Sequence, residues 1–256
     1  MTSLLIALAA VVAVAAAVRS TWSPCGLSML STITPIGERG RNNRWAASAA
    51  WFIVGAVLGG ATLGAGAALL AVGVQGLDLS GDLRVGTFAI LGVVTVASDL
   101  QLAGFRLPAH RRQVNETWLD QYRSWVYGGG FGWQIGVGLA TYVTTAAVYL
   151  TIAGAALTAS PTAAFAVGTG FGLVRGLAVL LGRPLATPQR MMALHRRLDE
   201  LLPAAQRAIV LVQALVVAVA ALAAWGPVPA IVAGGIGSVA AAARQPRPAR
   251  QVTRAA

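Results

Sequence analysis

The chain has 256 residues, 57% of them hydrophobic and only 11% charged, with a formal net charge of +11 and a mean hydropathy of +0.71. Those values exclude an ordinary soluble domain and call for several helices near the ~20-residue length that crosses a bilayer. All 19 basic residues are arginine, and most sit between apolar runs, so the charge fits the basic loops of a membrane protein and no nucleic acid is expected as partner.

In chain order, residues 3–36 form a first apolar region, interrupted by Arg19 and Pro24. Its N-terminus lacks a basic residue and Arg19 follows the apolar run, the reverse of a signal peptide, so a retained segment is expected. About 34 residues would give about 50 Å of helix, more than one crossing needs. One long broken helix, a span plus a re-entrant half, and two spans all stay open. Further spans are expected at 45–72, 85–105, 131–157, 162–182, 208–225 and 227–243. Apolar length without polar alternation makes all of them helical. The expected fold is therefore an all-α polytopic bundle of about seven transmembrane helices, with six to eight allowed by the first region. It occupies 1–243 as one domain, followed by a disordered basic tail at 244–256.

The loops set an orientation. Segments 38–44, 106–130 and 183–207 and the tail from 244 carry 16 of the 19 arginines, whereas 73–84 and 158–161 carry only Arg84. Alternate loops are thus basic, which places them and the C-terminus in the cytoplasm of a bacterial plasma membrane. Two cytoplasmic stretches look interfacial. In 115–127, Trp118, Tyr122 and Trp125 would share one helix face, and in 188–203 an apolar stripe from Met191 to Leu201 opposes Arg196, Arg197, Asp199 and Glu200.

Small residues at spacings of four mark helix contacts: Gly55, Gly59, Gly60 and Gly64 in the second span, and Gly168, Gly172 and Gly176 in the fifth. Asp99 and Arg175 are ionisable residues well inside spans three and five, at similar depth. An unpaired charge there costs at least ~2.5–3.5 kcal/mol, so an intramembrane Asp99–Arg175 ion pair is expected, with snorkelling of Arg175 as the alternative.

Ser23-Pro24-Cys25-Gly26-Leu27-Ser28 combines a helix-breaking proline, the single cysteine and nearby hydroxyls inside an apolar segment. Broken helix geometry in a membrane is tolerated where it packs against protein or lines a cavity. Residues 26–34 also align with 136–144, sharing a glycine, the Ser31/Thr141 hydroxyls and Thr34/Thr144. Such a match fits a 3+3 inverted repeat, whose interface would lie near mid-membrane.

Ser23-Pro24-Cys25, followed by a small-polar run and a short basic loop, resembles the cytochrome c biogenesis transmembrane proteins (CcdA and the membrane domain of DsbD), within the wider LysE-like transporter superfamily. The resemblance implies a scaffold in which a cysteine of the first helix and another of the fourth pass reducing equivalents across the membrane. Cys25 and Pro24 match the first cysteine and its proline. The second cysteine is replaced by Ile135, and Ser28 and Ser31 stand where prolines are usual, so a two-thiol relay within one chain is excluded.

The leading functional expectation is a transport-type protein that moves a small polar solute through a hydroxyl-lined seam. Pro24, Cys25, Ser28, Ser31, Thr32 and Thr34 would form one wall, facing Thr141, Thr144 and Thr145; bonding of the same hydroxyls to backbone is the competing account. Thiol–disulfide chemistry of Cys25 with a thiol-bearing partner protein is one alternative. A non-catalytic membrane subunit that assists assembly of a partner is another. No Ser/His/Asp or Cys/His set supports a soluble enzyme, and one cysteine excludes a Cys-rich metal site, so neither metal nor cofactor is expected. The lipid bilayer is the one partner implied outright, and a homo-oligomer stays open.

Overall fold

The computed structural model describes residues 1–108 and 117–227, together with Gly235. The expected seventh span at 227–243 and the tail at 244–256 therefore fall almost wholly outside the described residues, as do His110, Arg111 and Arg112. The helices are α1 (Thr2–Arg19), α2 (Pro24–Thr32), α3 (Pro35–Gly40), α4 (Trp45–Gly76), α5 (Gly81–Leu100), α6 (Trp118–Gln121), α7 (Ser124–Val137), α8 (Ala147–Leu157), α9 (Pro161–Leu177) and α10 (Pro188–Trp225). Among the described residues, 5 helical segments are long and apolar enough to cross a membrane: Thr2–Trp22, Trp45–Gly76, Gly81–Leu100, Pro161–Gly182 and Pro188–Trp225. The protein is an all-helical, multi-pass membrane bundle.

Four helices start from the same local device. Ser23, Thr34, Ser160 and Thr187 each precede a proline, and each side-chain oxygen accepts from the backbone N–H three residues on, at 3.0, 3.1, 3.4 and 3.4 Å. Proline at the first helical position loses no helical hydrogen bond, and the hydroxyl satisfies one of the orphan donors. The first apolar region is thus an 18-residue helix, α1, followed by a 3-10 turn at Ser20–Trp22 and the short capped helices α2 and α3.

The fourth expected span departs from the continuous helix that 131–157 suggests. α7 ends at Gly138 (φ +75°), and residues 138–146 are non-helical before α8 begins. Apolarity signals burial in lipid or protein but not helical continuity. The aromatic face expected over 115–127 is also broken, because Tyr122 leaves the helix between α6 and α7. Trp118 still meets the Tyr122 ring edge-on at 5.8 Å and also stacks on Phe131 with centroids 6.0 Å apart, while Trp125 turns to Trp51 at 6.4 Å. The 188–203 stretch and the sixth span fuse into α10, 38 residues with Pro203 inside. Near this interruption the Leu198 carbonyl accepts from Trp22 Nε1 at 2.8 Å.

Glycine decides the centre of the bundle. α4 runs between α7 and α9, and its small residues admit bare backbone on both sides. A Cβ on Gly59 would lie 2.2 Å from the Trp133 carbonyl oxygen, and one on Gly60 would lie 2.6 Å from that of Gly168. Gly60 and Gly64 meet the Gly168 and Gly172 backbone of α9, whereas Gly55 and Gly59 face the backbone of α7, so the small-residue rows serve close helix contact as expected.

Hydrogen bonds and contacts fix the direction of each helix. Arg84 of α5 reaches Thr2 Oγ1 and the Thr158 carbonyl, and Trp225 packs on Gly86. These residues mark one end of the bundle. At the other end Tyr127 donates to Glu38, Trp45 Nε1 donates to the Ile33 carbonyl, and Gly182 lies against that same carbonyl. This second end carries Arg39, Arg41, Arg44, Arg123 and Arg183. The contacts between helices also have a partial symmetry, from which the packing of α7–α8 on α9 departs because α1 and α4 make no comparable contact. Exchanging α1, α4 and α5 for α7–α8, α9 and α10 turns α1·α9 into α4·α7–α8 and α1·α10 into α5·α8, and leaves α4·α9, α5·α10 and α1·α8 unchanged. The first helix of each half is broken, and α1 runs opposite to α7–α8. The aligned stretches themselves differ, since 26–32 is helical whereas 138–144 is not.

Candidate functional site

Residues 142–146 of the non-helical stretch line a cavity of about 410 Å³ between the C-terminal ends of α1 and α5, the start of α8 and the middle of α10. Arg19, Asp99, Thr144 and Thr145 stand in its wall, with Val143, Ile209 and Val210 as apolar neighbours. The residues after α5 fold back beside it: Leu107 N–H donates to Ser98 Oγ at 2.9 Å, and Tyr149 OH donates to the Pro108 carbonyl.

Asp99 organises this region, through partners other than those the sequence suggests. Thr145 Oγ1 donates to its Oδ2 at 2.5 Å, the Ala146 N–H to Oδ1 at 2.7 Å, and Gln213 Nε2 to Oδ2 at 2.8 Å. The carboxylate thus caps α8 and ties it to α10. The cation within its electrostatic reach is Arg19. The expected Asp99–Arg175 ion pair is not formed; among the described residues the one salt bridge is Arg41–Glu38, at 3.0 Å. Arg175 is only 4% exposed and lies over the Phe171 ring, 5.6 Å from its centroid, with Gly138 close by. Its Nη2 has no hydrogen-bond partner among the described residues, so snorkelling to the surface is not its solution either. Similar depth in two spans does not fix the rotation of each helix about its own axis, and that rotation sends the two charges to different neighbours.

The expected hydroxyl seam separates into parts. Thr144 and Thr145 line the cavity. Thr141 is buried, with no partner for its hydroxyl among the described residues. On the other wall, Thr34 caps α3, and Thr32 donates to the Ser28 carbonyl at 2.9 Å. Ser31 donates to the Leu27 carbonyl at 2.9 Å and lies 3.0 Å from His195 Nε2. That histidine sits on α10, not in a loop. Pro24 and Cys25 begin α2, and Ser28 lies one turn further on the same helix. Of these first-region residues none stands in the cavity wall; they serve helix starts and backbone carbonyls, the competing account of such hydroxyls. Cys25 is 2% exposed, in an apolar cluster that also contains Phe52, Phe131 and Ile135. Ile135 is the residue aligned with it across the repeat. The Arg175 guanidinium lies within electrostatic reach of the Cys25 thiol.

Three residues escaped the sequence reading. Arg19 was legible only as an interruption, and Gln213 not at all. Glu38 looked like part of a basic loop. It is fully buried and accepts from Ser48 Oγ at 2.5 Å, Tyr127 OH at 2.6 Å and Arg41 Nη1 at 3.0 Å. An acidic residue in the first turn after the Thr34 cap is the one local signal that could have placed it inside a helix. Among the described residues no three His, Cys, Asp or Glu side chains gather where they could hold a metal ion.

No protein-family model and no solved structure matches the chain. Curated relatives do. Over 166 residues, 62% of this chain and 59% of the relative, it is 32% identical to the methylamine utilization protein MauF of Paracoccus versutus. Over 173 residues, 65% of this chain and 60% of the relative, it is 34% identical to the protein of that name from Paracoccus denitrificans. The MauF of Methylophilus methylotrophus is 33% identical over 167 residues, 62% of this chain and 56% of the relative. The chain spans about three-fifths of the length of these curated relatives. None of the three carries the name of a cytochrome c biogenesis or LysE-like protein, so that resemblance gains no support from them.

Proposed function

We propose that this chain is a membrane accessory subunit of bacterial amine utilization, which assists the assembly of a partner protein and performs no reaction of its own. The observation that carries this reading is the similarity to MauF proteins, which are named for methylamine utilization. Two structural facts support it. The bundle is held by backbone-to-backbone glycine packing, a static arrangement suited to a scaffold. At the arginine-rich end, the Glu38 network and the half-exposed Trp125 and Tyr122 offer a rigid face where a partner could be held. The orientation follows the same reading: that face lies in the cytoplasm of a bacterial plasma membrane.

A MauF-deleted strain of Paracoccus denitrificans that expresses this chain tests the reading. Growth on methylamine should return, with the chain in the membrane fraction and without changed methylamine uptake by cells. Restored uptake without dependence on a partner would favour the solute-transport reading, which the polar cavity supports. Thiol exchange by Cys25 has less support, since it needs an accessible thiolate and this thiol is buried among apolar side chains. Full complementation by Cys25→Ala would remove it.

A further inference from the structure

One flank of the arginine-rich end, apart from both the cavity and the Glu38 network, carries charge, aromatic rings and aliphatic side chains in that order from the end inward. α4 and α7 run parallel with their backbones in contact: Gly55 meets Gly129, Gly59 meets Trp133, and a Cβ on Gly128 would lie 3.0 Å from the Ser48 carbonyl oxygen and 3.3 Å from Trp51 Cβ. Arg44 stands four residues before Ser48 and Arg123 five before Gly128, so the two arginines begin the two helices at the same height. Both are exposed, and among the described residues neither has a carboxylate within ion-pair distance. Trp51 and Trp125 follow, 46% and 54% exposed. They are the one pair of tryptophan rings in contact among the described residues, with centroids 6.4 Å apart. At 1.5 Å per residue, Trp51 lies about 10 Å and Trp125 about 3 Å further along its helix than the arginine. Val54 and Leu58 share the helix side of Trp51, by spacing of three and seven residues, and as exposed side chains they continue the flank inward.

That order matches the profile of one leaflet: phosphate outermost, then the headgroup level where tryptophan rings settle, then acyl chains. Charge decides which headgroup fits. Over the whole sequence, 38–44 has three arginines against Glu38, 106–130 has four against Glu116 and Asp120, and 183–207 has five against Asp199 and Glu200. This end is therefore positive with every acid counted. A zwitterionic lipid would bring an ammonium group to guanidinium groups that repel it. An anionic phospholipid brings a phosphodiester, which arginine takes through paired N–H groups. Two other arginines of this end are already engaged: Arg41 pairs with Glu38, and Arg190 donates to the Pro184 carbonyl at 3.3 Å. We infer that the α4–α7 flank binds an anionic phospholipid of the leaflet at the arginine-rich end. Its phosphodiester is taken by Arg44 and Arg123, its glycerol region lies against Trp51 and Trp125, and an acyl chain runs along Val54 and Leu58. The site takes Trp125 for lipid and leaves Tyr122 and the Glu38 network as the face of the accessory reading, on which it does not depend.

The full chain, purified in detergent and titrated with brominated-chain phosphatidylglycerol or brominated-chain phosphatidylcholine, tests the site by quenching of tryptophan fluorescence. Phosphatidylglycerol should act at a concentration lower by at least about fivefold, the equivalent of one arginine's attraction to an anionic surface. Arg44→Gln with Arg123→Gln should abolish that preference. Arg39→Gln with Arg183→Gln removes the same charge from exposed residues of the same end and should keep it. Trp51→Phe with Trp125→Phe should remove the quenching that distinguishes the two lipids. All six positions are exposed, so the variants should melt as the wild-type chain does, which thermal melting checks. Equal action of both lipids on the wild-type chain, an undiminished preference in Arg44→Gln/Arg123→Gln, or an equal loss in Arg39→Gln/Arg183→Gln would each overturn the assignment, the last by reducing it to general charge attraction. An undiminished preference with loss of growth on methylamine in the strain described above would give the two arginines to a partner protein and overturn it as well.

Discussion

Asp99 and Glu38 set the residue-scale energetics, because each is a carboxylate withdrawn from water and answered by three hydrogen-bond donors. Asp99→Ala leaves the Ala146 N–H, Thr145 and Gln213 without their acceptor and Arg19 without a counter-charge, so a loss of about 3 kcal/mol or more is expected. Thermal melting of purified protein in detergent measures it. A double-mutant cycle of Asp99→Asn with Arg19→Gln should show coupling above about 0.5 kcal/mol, whereas the cycle with Arg175→Gln should be additive. Coupling in the second cycle alone would mean that the charges pair as their depth suggests and not as the structure places them. Glu38→Ala should cost a similar amount, about 3 kcal/mol, since Ser48 and Tyr127 would lose a buried acceptor and Arg41 its partner. These residues were only partly legible. Asp99 stood out as a charge in an apolar run, and a broken span lined by threonines was readable around Thr144 and Thr145. Arg41 apart, Glu38 and Gln213 became central through groups 10 to 114 residues away in sequence, which no local pattern encodes.

Two local rules account for the elements. A hydroxyl followed by proline begins α2, α3, α9 and α10, so Ser23 and Pro24 read as a helix start and not as a working site. Ser23→Ala should cost about 1 kcal/mol, the usual loss of an N-cap, without changing the reactivity of Cys25 toward a membrane-permeant maleimide. The second rule is the glycine row. Gly60→Leu must displace the Gly168 carbonyl and Gly172 backbone, which a Cβ alone would already approach to 2.6–2.7 Å. Overpacking of that kind costs typically about 1–3 kcal/mol, and leucine should exceed it; size-exclusion chromatography should show aggregated or unfolded protein. Gly66→Leu serves as the control, because a Cβ there meets nothing within 4 Å. The glycine rows were readable because period-four spacing is a property of one helix. The break at 138–146 was not, since its glycine, threonines and valine occur equally in continuous membrane helices.

For the whole molecule, the opposed directions of α1 and α7–α8 agree with the expected inverted repeat, whereas the packing of α7–α8 on α9 has no comparable counterpart between α1 and α4. The cavity lies beside the break that opens the second half. Orientation in the membrane is a prediction at this scale. In a Cys25→Ser background, Arg39→Cys and Asp82→Cys lie at opposite ends of the bundle. The second should react with an impermeant maleimide in intact cells and the first only after permeabilisation. Labelling in the reverse order would place the arginine-rich end outside and remove the cytoplasmic docking face from the proposed function.

The sequence by itself determined the class: apolar length forces helices that satisfy their own backbone in lipid, arginine distribution separates the two ends, and glycine spacing marks the central helices. All three are properties of single segments. The tertiary structure alone decided which charges meet, that the seam divides into capped helix starts and a cavity, and that Asp99 is answered by Thr145, Ala146 and Gln213. Those outcomes depend on how each helix is rotated about its axis and on where α7 stops, and both are set by contacts with distant segments.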